Sequence, residues 1–551
     1  MKRQSEILQA FSTLGFVPRD NQPEIIDSVL SAYLDKKYKN VILCAGTGIG
    51  KSIIAAVIAQ VLQTINQTSK SAIYLSSTNV LVNQYADSFS KLGDQKFFRI
   101  KGASNYKCAY FNAKGNDRAT GDDCVWKDLS EIEQKQLCGS CEYKRSQKLV
   151  NGTENLITNY SYFMLSKLTT GRIDDRPLQV FDEMHLLNDT YCNQLSIEVS
   201  IDLIDRLCKD LSHTNGKLNN ESAELVLFKQ NIINKKITTS NYREKLIELV
   251  KIYAKIGSIC TTQSKLIPDM KDKAKFNKIA KRFLSLAQSI KSFIVEEFEH
   301  VFDNVTDKNA IFIKPMFIRD KMETLLGDYN LFMTATMSPT FAETTMGLKP
   351  ETTKYIAVPD VFPSENKPVL FLGADNLNYE IMKNPATYVE MSKKIAFIIE
   401  HHKNEKGLLL VPSFYVAKTL AAKIPKGCKV FEHTQGTNIN DYVGEFKKYK
   451  GSAILISPSI FEGLDFSNDE SRFQIICKTP YASLGDPRIA KIANEYGSVY
   501  REITLYKIIQ GLGRSIRTPT DTATTYFLDK SSQTMFNSKQ NLWRDRFAVK
   551  N

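Results

Sequence analysis

A glycine-rich loop between an apolar run and a helix-like run constrains the fold more than any other part of the sequence. Residues 41–44 (VILC) form the apolar run, the loop AGTGIGKS spans residues 45–52, and residues 53–62 have helical composition. Glycines let backbone N–H groups approach a triphosphate closely, and the N-terminus of a helix adds a favourable field. This order predicts a phosphate-binding loop in a parallel α/β sheet, although Ala45 stands where the usual pattern has glycine.

The residues of this loop have separate expected roles. Thr47, Gly48 and Gly50 surround the phosphates of a nucleotide, and Lys51 reaches its β- and γ-phosphates. The hydroxyl of Ser52 holds Mg²⁺. ATP and Mg²⁺ are therefore the expected cofactors.

A second apolar run ends in two adjacent carboxylates. Residues 179–181 (QVF) predict a strand that leads into Asp182 and Glu183, and His185 follows. Behind a phosphate loop this pair completes an ATPase site, because Asp182 can position Mg²⁺ while Glu183 polarises the attacking water. We expect His185 to couple the nucleotide to another site; the alternative is a buried histidine with satisfied hydrogen bonds.

A third group of candidate residues lies near the C-terminus, in the segment QGLGRSIR at residues 510–517. On a helix, Gln510, Arg514 and Arg517 would share one face. Two guanidinium groups directed at a γ-phosphate would stabilise the charge of the transition state, as arginine fingers do. The alternative is a solvated basic helix face.

Four of the ten cysteines crowd into one short segment: Cys108, Cys124, Cys138 and Cys141. Thiolates suit either Zn²⁺ or an iron–sulfur cluster. Zinc ribbons usually contain two CxxC pairs, whereas this segment contains one, which favours the cluster. Free thiols are the third alternative.

Composition limits the class of protein without deciding its partner. A chain of 551 residues is too long for a single domain with one hydrophobic core. Its 42% hydrophobic and 24% charged residues are typical of a globular protein. A net charge of +13 suits a polyanion such as nucleic acid, or simply a lysine-rich surface. The sequence has neither an apolar run of roughly 18 residues nor a signal-peptide core, so we expect a cytoplasmic protein without a membrane partner.

The order of predicted elements indicates two α/β domains, the first of which is split by two insertions. Residues 101–150 interrupt the α/β pattern with glycine, asparagine, aspartate and clustered cysteines. The pattern turns helical from about 195 to 305, including a long stretch at residues 273–302, and strands return at 311–313 and 331–333. A second α/β unit starts near residue 360.

Taken in order, these motifs resemble those of the XPD/DinG-like iron–sulfur branch of superfamily 2 helicases. The resemblance covers nearly the whole chain. In its first half the similar segments are Arg19 and Gln22 (nucleotide-base motif), residues 77–81 with Gln84 (motif Ia), residues 182–185 with Met184 in place of the usual alanine (DEAH box), and residues 334–339 (motif III). In its second half they are residues 409–414 (motif IV), residues 461–466 with Glu462, Gly463 and Asp465 (motif V), and residues 510–517 (motif VI).

The resemblance implies an α/β fold with two RecA-like motor domains, the first interrupted by a small iron–sulfur cluster domain and a helical arch domain. The expected boundaries are 1–100 with 151–190 and 310–355 for the first motor, 101–150 for the cluster domain, 191–309 for the arch and 356–551 for the second motor. It also implies that Cys108, Cys124, Cys138 and Cys141 hold a [4Fe–4S] cluster.

The function implied by the resemblance is an ATP-dependent DNA helicase. It would move on single-stranded DNA in the 5′→3′ direction, open duplex or forked DNA, and act as a monomer. Arg19, Gln22, Glu462, Gly463 and Asp465 would contribute to nucleotide binding. Three alternatives remain: a remodeller of R-loops or protein–nucleic acid complexes, an RNA-directed ATPase, and a redox-sensing iron–sulfur switch that binds DNA.

Overall fold

The computed structural model describes residues 2–550 except 20, 47, 93–95, 125–128, 168–170, 213, 215, 296–298, 306–308, 462–463 and 519. Contacts divide the chain into two compact units. The first unit comprises Met1–Val17, Ala56–Phe332 and Thr345–Lys349, and the second comprises Pro18–Ala55, Met333–Thr344 and Pro350–Asn551.

The strands are β1 Asn40–Cys44, β2 Ala72–Ser76, β3 Phe97–Arg99, β4 Asn155–Asn159, β5 Leu178–Asp182, β6 Ile197–Ser200, β7 His300–Val305, β8 Ala310–Pro315, β9 Tyr329–Thr334, β10 Thr353–Ala357, β11 Pro368–Phe371, β12 Lys406–Leu410, β13 Lys429–Glu432, β14 Ala453–Ser457, β15 Phe473–Ile476, β16 Thr524–Phe527 and β17 Ala548–Lys550.

The α-helices are α1 Lys2–Thr13, α2 Gln22–Leu34, α3 Lys51–Asn66, α4 Asn79–Phe89, α5 Ala109–Ala113, α6 Glu131–Cys138, α7 Glu142–Leu149, α8 Tyr160–Leu165, α9 Leu187–Gln194, α10 Ile201–Ser212, α11 Asn219–Ile233, α12 Tyr242–Leu266, α13 Met270–Val295, α14 Met322–Leu325, α15 Pro339–Met346, α16 Tyr379–Lys383, α17 Pro385–His401, α18 Phe414–Ala421, α19 Ile439–Lys448, α20 Pro487–Glu495, α21 Gly497–Leu512 and α22 Lys530–Phe536. Of the helices in the described ranges, none is long and apolar enough to cross a membrane.

Parallel strands form the sheet of the first unit, in the order β5-β2-β4-β3. Strands β2 and β5 are buried along their whole length. A parallel strand that is covered on both faces appears in the sequence as a continuous apolar run, which is why these strands were predictable.

A helical region in the first unit packs α10–α13 with an antiparallel sheet of order β6-β8-β7 around one apolar core. The predicted helical spacing is confirmed over α13, where Phe276, Phe283 and Ile290 are buried. The prediction of helix through residue 302 is wrong, because His300–Val305 pairs with β8 as a strand. There Phe302 stacks on Tyr242, a contact that helical periodicity cannot indicate.

In the second unit, seven strands form a parallel sheet of order β13-β14-β12-β15-β16-β11-β17. Strand β1 of this unit pairs in parallel with β10. The second α/β unit that the sequence predicts from about residue 360 is confirmed, with buried strands at Lys406–Leu410, Ala453–Ser457 and Phe473–Ile476.

We predict that Gly407→Ala destabilises the second unit. A Cβ at Gly407 in β12 would lie 2.3 Å from the ring of Phe473, its cross-strand neighbour. That ring stacks on His402 at 4.5 Å, so it has little room to move. Overpacking of this kind lowers the free energy of unfolding by about 1–3 kcal/mol, which urea denaturation would measure.

The matched control is Gly444→Ala in α19, where an added Cβ meets no atom within 4 Å. Alanine favours a helix over glycine by about 1 kcal/mol, so this variant should be as stable as the parent chain or more so. Equal urea midpoints for the two variants would contradict the prediction.

Candidate active site

The phosphate loop of the second unit lies between β1 and α3, as the sequence predicted. Gly48 and Gly50 have φ angles of +85° and +81°, the left-handed region in which a Cβ is disfavoured. The N–H of Ala45 donates to the carbonyl of Thr334 at the end of β9 (2.9 Å), which fixes the start of the loop. Thr47 lies outside the described residues.

Lys51 and Ser52 open helix α3, whose first N–H groups lack intrahelical acceptors and therefore favour an anion. The Nζ of Lys51 donates to the carbonyls of Ala45 (3.1 Å) and Gly46 (3.4 Å). The ammonium group is thus held over the loop by neutral oxygens. A triphosphate bound there would offer it charged ones.

Arg19 and Gln22 contact the phosphate loop directly. The side chain of Gln22 is 1% exposed, and its amide donates to the carbonyl of Ile49 at 2.8 Å. Arg19 donates to the carbonyl of Gly48 at 2.8 Å, and its backbone N–H donates to the Gln22 side chain. The structure therefore brings these predicted nucleotide-binding residues together with the loop.

Two residues beside this loop were missed by the sequence analysis. A Cβ built on Gly46 would lie 3.3 Å from a carboxylate oxygen of Asp360, and one on Gly48 would lie 2.5 Å from the ring of Phe362. Lys367 pairs with Asp360 at 2.7 Å. The available signal was the position of residues 358–362 just after β10, because parallel neighbours such as β10 and β1 end at the same sheet edge.

The acidic pair lies in the first unit, at the end of β5. Asp182 is 9% exposed, and its carbonyl accepts a hydrogen bond from the Tyr160 hydroxyl at 2.5 Å. Burial, with the charges of Asp182 and Glu183, raises the pKa of Tyr160 well above its usual value, so the phenol stays a donor. Glu183 has a left-handed backbone (φ +53°), a strained conformation for a residue with a Cβ.

His185 has a buried side chain, as one of the two alternatives from the sequence has it, while its expected coupling role stays a prediction. Its side chain is largely buried, and its Nδ1 lies 3.3 Å from a carboxylate oxygen of Glu183. It is therefore a buried histidine that is paired with the predicted water-activating residue. This contact can orient the Glu183 carboxylate.

The prediction that Gln510, Arg514 and Arg517 share one helix face is wrong for the two arginines. Helix α21 ends at Leu512, whose carbonyl accepts a hydrogen bond from the side chain of Gln474. Glycine on both sides of Leu512 weakens the helix propensity of this segment. The side chain of Gln474, in β15, occupies the carbonyl at which the helix ends. Arg514 lies in the turn that follows the helix, where its N–H donates to the carbonyl of Gly511, and Arg517 lies beyond that turn.

Both arginines contact the predicted motif V segment. Arg514 donates to the carbonyls of Phe461 (2.9 Å) and Leu464 (3.0 Å), and Arg517 forms an ion pair with Asp465. Their side chains are 13% and 19% exposed, which argues against a solvated basic face. Glu462 and Gly463 lie outside the described residues.

The four clustered cysteines lie near one another in the first unit, and three belong to one apolar cluster. Burial, together with the thiols of Cys141, Cys108 and Cys124, raises the pKa of Cys138 to about 11. In the described ranges, no three His, Cys, Asp or Glu side chains come together as a metal-ligand set. The donor chemistry fits a metal cluster, whereas a completed ligand geometry is not present.

Ion pairs join this cysteine segment to the helical region. Lys278 and Lys281 on α13 pair with Asp123 (2.7 Å) and Asp122 (3.3 Å). Burial alone would raise the pKa of Asp123, but hydrogen bonds from Lys278 and Thr120 hold it below its usual value. A cavity of about 580 Å³ adjoins these pairs.

A groove of about 970 Å³ opens in the second unit where β12, β14 and β15 end. Tyr481 stacks parallel to Tyr500 at 6.0 Å, and Tyr379 is 72% exposed. Among the described residues that line the groove, the charged ones are Lys478 and Lys507. Aromatic faces beside ammonium groups suit a single-stranded nucleic acid.

Two family models match separate parts of the chain. A DEAD/DEAH box helicase model covers residues 19–208, and a helicase C-terminal domain model covers residues 397–544. These ranges contain the phosphate loop, the acidic pair, the motif V segment and both arginines.

Relatives and solved structures agree with these matches. A protein named 3′-5′ exonuclease DinG from Staphylococcus saprophyticus is 27% identical over 168 residues, which is 29% of this chain. A protein of the same name from Staphylococcus aureus is 26% identical over 162 residues, 28% of this chain. Each match spans only 18% of the relative's own length. Among solved structures, an XPD helicase has a TM-score of 0.65 at 16% identity, over 97% of this chain and 99% of that one. Xpd4 of S. tokodaii has a TM-score of 0.60 at 14% identity, over 97% and 100%. The fold is therefore XPD-like, with two RecA-like domains, and the chain contains a DEAD/DEAH box helicase domain followed by a helicase C-terminal domain, as expected of the XPD/DinG-like superfamily 2 helicases that it resembles.

Proposed function

We propose that this protein is an ATP-dependent DNA helicase that moves 5′→3′ on single-stranded DNA and opens forks. The observation that carries the proposal is the phosphate loop held by Arg19 and Gln22 within one compact unit. An anion-binding loop joined to a predicted base-recognition motif fits a nucleoside triphosphate. The polarity, the preference for DNA and action as a monomer rest on family resemblance, and the cytoplasmic location rests on the sequence expectation given above.

Each residue of the site has a proposed part in ATP hydrolysis. Lys51 binds the β- and γ-phosphates, and Ser52 and Asp182 hold Mg²⁺. Glu183 orients and polarises the attacking water, with His185 fixing its carboxylate. Arg514 and Arg517 stabilise the charge that spreads over the γ-phosphate oxygens.

The groove of the second unit supports the choice of a nucleic acid track. Lys478 and Lys507 can neutralise phosphates, while Tyr379 and Tyr481 offer faces on which bases can stack. Such contacts are independent of sequence, as a translocating motor requires. Ion pairs join α13 to the cysteine segment, and we propose that these two regions together form a pore that admits one strand.

We further propose that Cys108, Cys124, Cys138 and Cys141 hold a [4Fe–4S] cluster. Burial and neighbouring thiols disfavour a thiolate at Cys138 when no cation is bound. Iron would supply the positive charge that stabilises the thiolates. The cluster would brace the segment that contacts α13.

The first test replaces Lys51 by alanine. We expect ATP hydrolysis to fall by at least about 10²-fold, because the β- and γ-phosphates lose their ammonium partner. Phosphate release measured with and without single-stranded DNA would show it. Lys393→Ala, an exposed lysine paired with Glu390 on α17, is the control and should keep full turnover. Retained turnover in Lys51→Ala would refute the ATPase assignment.

The second test measures strand displacement on matched DNA forks with either a 5′ or a 3′ single-stranded tail. We expect displacement from the 5′ tail alone, and none with Lys51→Ala. The same forks made of RNA separate a DNA motor from an RNA-directed ATPase. Hydrolysis without displacement of any fork would indicate remodelling or switching.

The third test concerns the cysteines. Protein purified without oxygen should contain iron and sulfide and absorb broadly near 400 nm. Cys138→Ser should lose most of the iron, while Cys208→Ser, a partly buried cysteine on α10, should retain it. Stoichiometric zinc without iron, or equal iron in both variants, would rule out the cluster.

A further inference from the structure

Residues 334–338 connect the phosphate loop to helix α21 through hydrogen bonds at both ends, and we call them the strap. At one end, Thr334 accepts from the N–H of Ala45, the first residue of the phosphate loop (2.9 Å). At the other end, the N–H of Ser338 donates to the hydroxyl of Tyr506 on α21 (3.0 Å). All of these residues belong to the second unit.

A buried carboxylate completes the contact with α21. The hydroxyls of Ser338 and Tyr506 both donate to the same oxygen of Glu502, each at 2.5 Å. The Ser338 hydroxyl in turn accepts from the N–H of Phe341 in the first turn of α15. Ser338, Glu502 and Tyr506 are all less than a tenth exposed. Hydrogen bonds in such surroundings strengthen one another and are costly to break.

Other contacts keep the strap from moving independently of its ends. The carbonyl of Ala335 accepts from Arg546 (3.1 Å), and that of Met337 accepts from the hydroxyl of Tyr355 (3.0 Å). The ring of Tyr506 packs edge-on against Phe341 at 5.0 Å and against Trp543 at 5.5 Å. A displacement of Thr334 therefore reaches Tyr506 through a continuous set of bonded groups.

The phenol of Tyr506 keeps its proton in this environment. Burial, followed by the negative charge of Glu502, raises the pKa of Tyr506 well above its usual value. The hydroxyl therefore donates to Glu502 and accepts from Ser338 over the whole physiological pH range. The direction of the hydrogen bonds is fixed.

We propose that Glu502 and Tyr506 are positioning residues that transmit the state of the phosphate loop, through the strap, to the end of α21. Tyr506 and Gln510 lie four residues apart on this helix, so they share one face. Arg514 follows directly after the helix ends. The inference rests on the proposed function as an ATP-driven motor. It names the side chains that would couple the phosphate loop to the end of α21.

The test replaces Tyr506 by phenylalanine, which removes the hydroxyl and keeps the ring contacts with Phe341 and Trp543. We expect the DNA-stimulated kcat for ATP to fall roughly three- to thirtyfold, the range of coupling effects in proteins. The KM for ATP should stay within about twofold, because the phosphate loop itself is unchanged. A positioning role thus predicts a lower kcat with a nearly unchanged KM for ATP.

Tyr526→Phe is the matched control. It loses one phenolic hydrogen bond, to His402 at 2.9 Å, in strand β16 of the same unit, whereas Tyr506→Phe loses the bonds to Glu502 and Ser338. Its thermal unfolding midpoint should fall, though less than that of Tyr506→Phe, with kcat unchanged. A double variant, Ser338→Ala with Tyr506→Phe, should lose little more kcat than the worse single variant, since both act on one carboxylate oxygen.

Three results would overturn the inference: an unchanged kcat in Tyr506→Phe, an equal loss in Tyr526→Phe, or additive losses in the double variant. Failure of the proposed function looks different. If DNA does not stimulate ATP hydrolysis by the parent protein, the proposal of a DNA motor is wrong. The inference is then tested by the kcat of the same variants without DNA. If Lys51→Ala retains turnover, the ATPase assignment fails and the inference falls with it.

Discussion

The phosphate loop must keep its backbone open toward an anion, and the surrounding structure depends on this constraint. Gly48 and Gly50 adopt left-handed conformations, and the amide of Gln22 lies 2.6 Å from where a Cβ on Gly50 would stand. Residues outside the loop hold it in place: the side chains of Arg19 and Gln22 donate hydrogen bonds to the carbonyls of Gly48 and Ile49. These contacts fix the loop without using the N–H groups of those residues, which are the groups that bind phosphate.

Local patterns in the sequence were sufficient to predict the buried strands and the phosphate loop. Strands buried on both faces, such as β1 and β2, need continuous apolar runs, and an anion loop needs glycines before a helix. The failures depend on contacts that helical periodicity does not encode. Gln474 bonds the carbonyl of Leu512, where α21 ends, from a distant part of the sequence. Strand β8 follows soon after His300–Val305, and antiparallel pairing with it makes a strand of that segment.

The candidate site shows the same division between local and distant information. Lys51 was predictable from the chemistry of the loop and Arg19 and Gln22 from the family resemblance, and the structure places all three at the loop. Asp360 and Phe362 were not, since their relevance arises from the pairing of β10 with β1. Net charge was still less informative, because +13 suits a polyanion or simply a lysine-rich surface and locates neither. The groove, by contrast, brings together lysines and tyrosines from separate segments.

Three cations of the predicted motifs in the second unit donate to neutral carbonyl oxygens. Lys51 donates to Ala45 and Gly46, Arg19 donates to Gly48, and Arg514 donates to Phe461 and Leu464. A hydrogen bond from a cation to a phosphate oxygen is roughly twice as strong as a neutral one. Triphosphate binding therefore exchanges weaker acceptors for stronger ones at Lys51, without leaving a buried charge uncompensated at any stage. Arg514 and Arg517 differ from Lys51 and Arg19, because both guanidinium groups also form ion pairs with the carboxylate of Asp465. In the proposed mechanism, a phosphate must therefore compete with one shared carboxylate before either arginine can act on it.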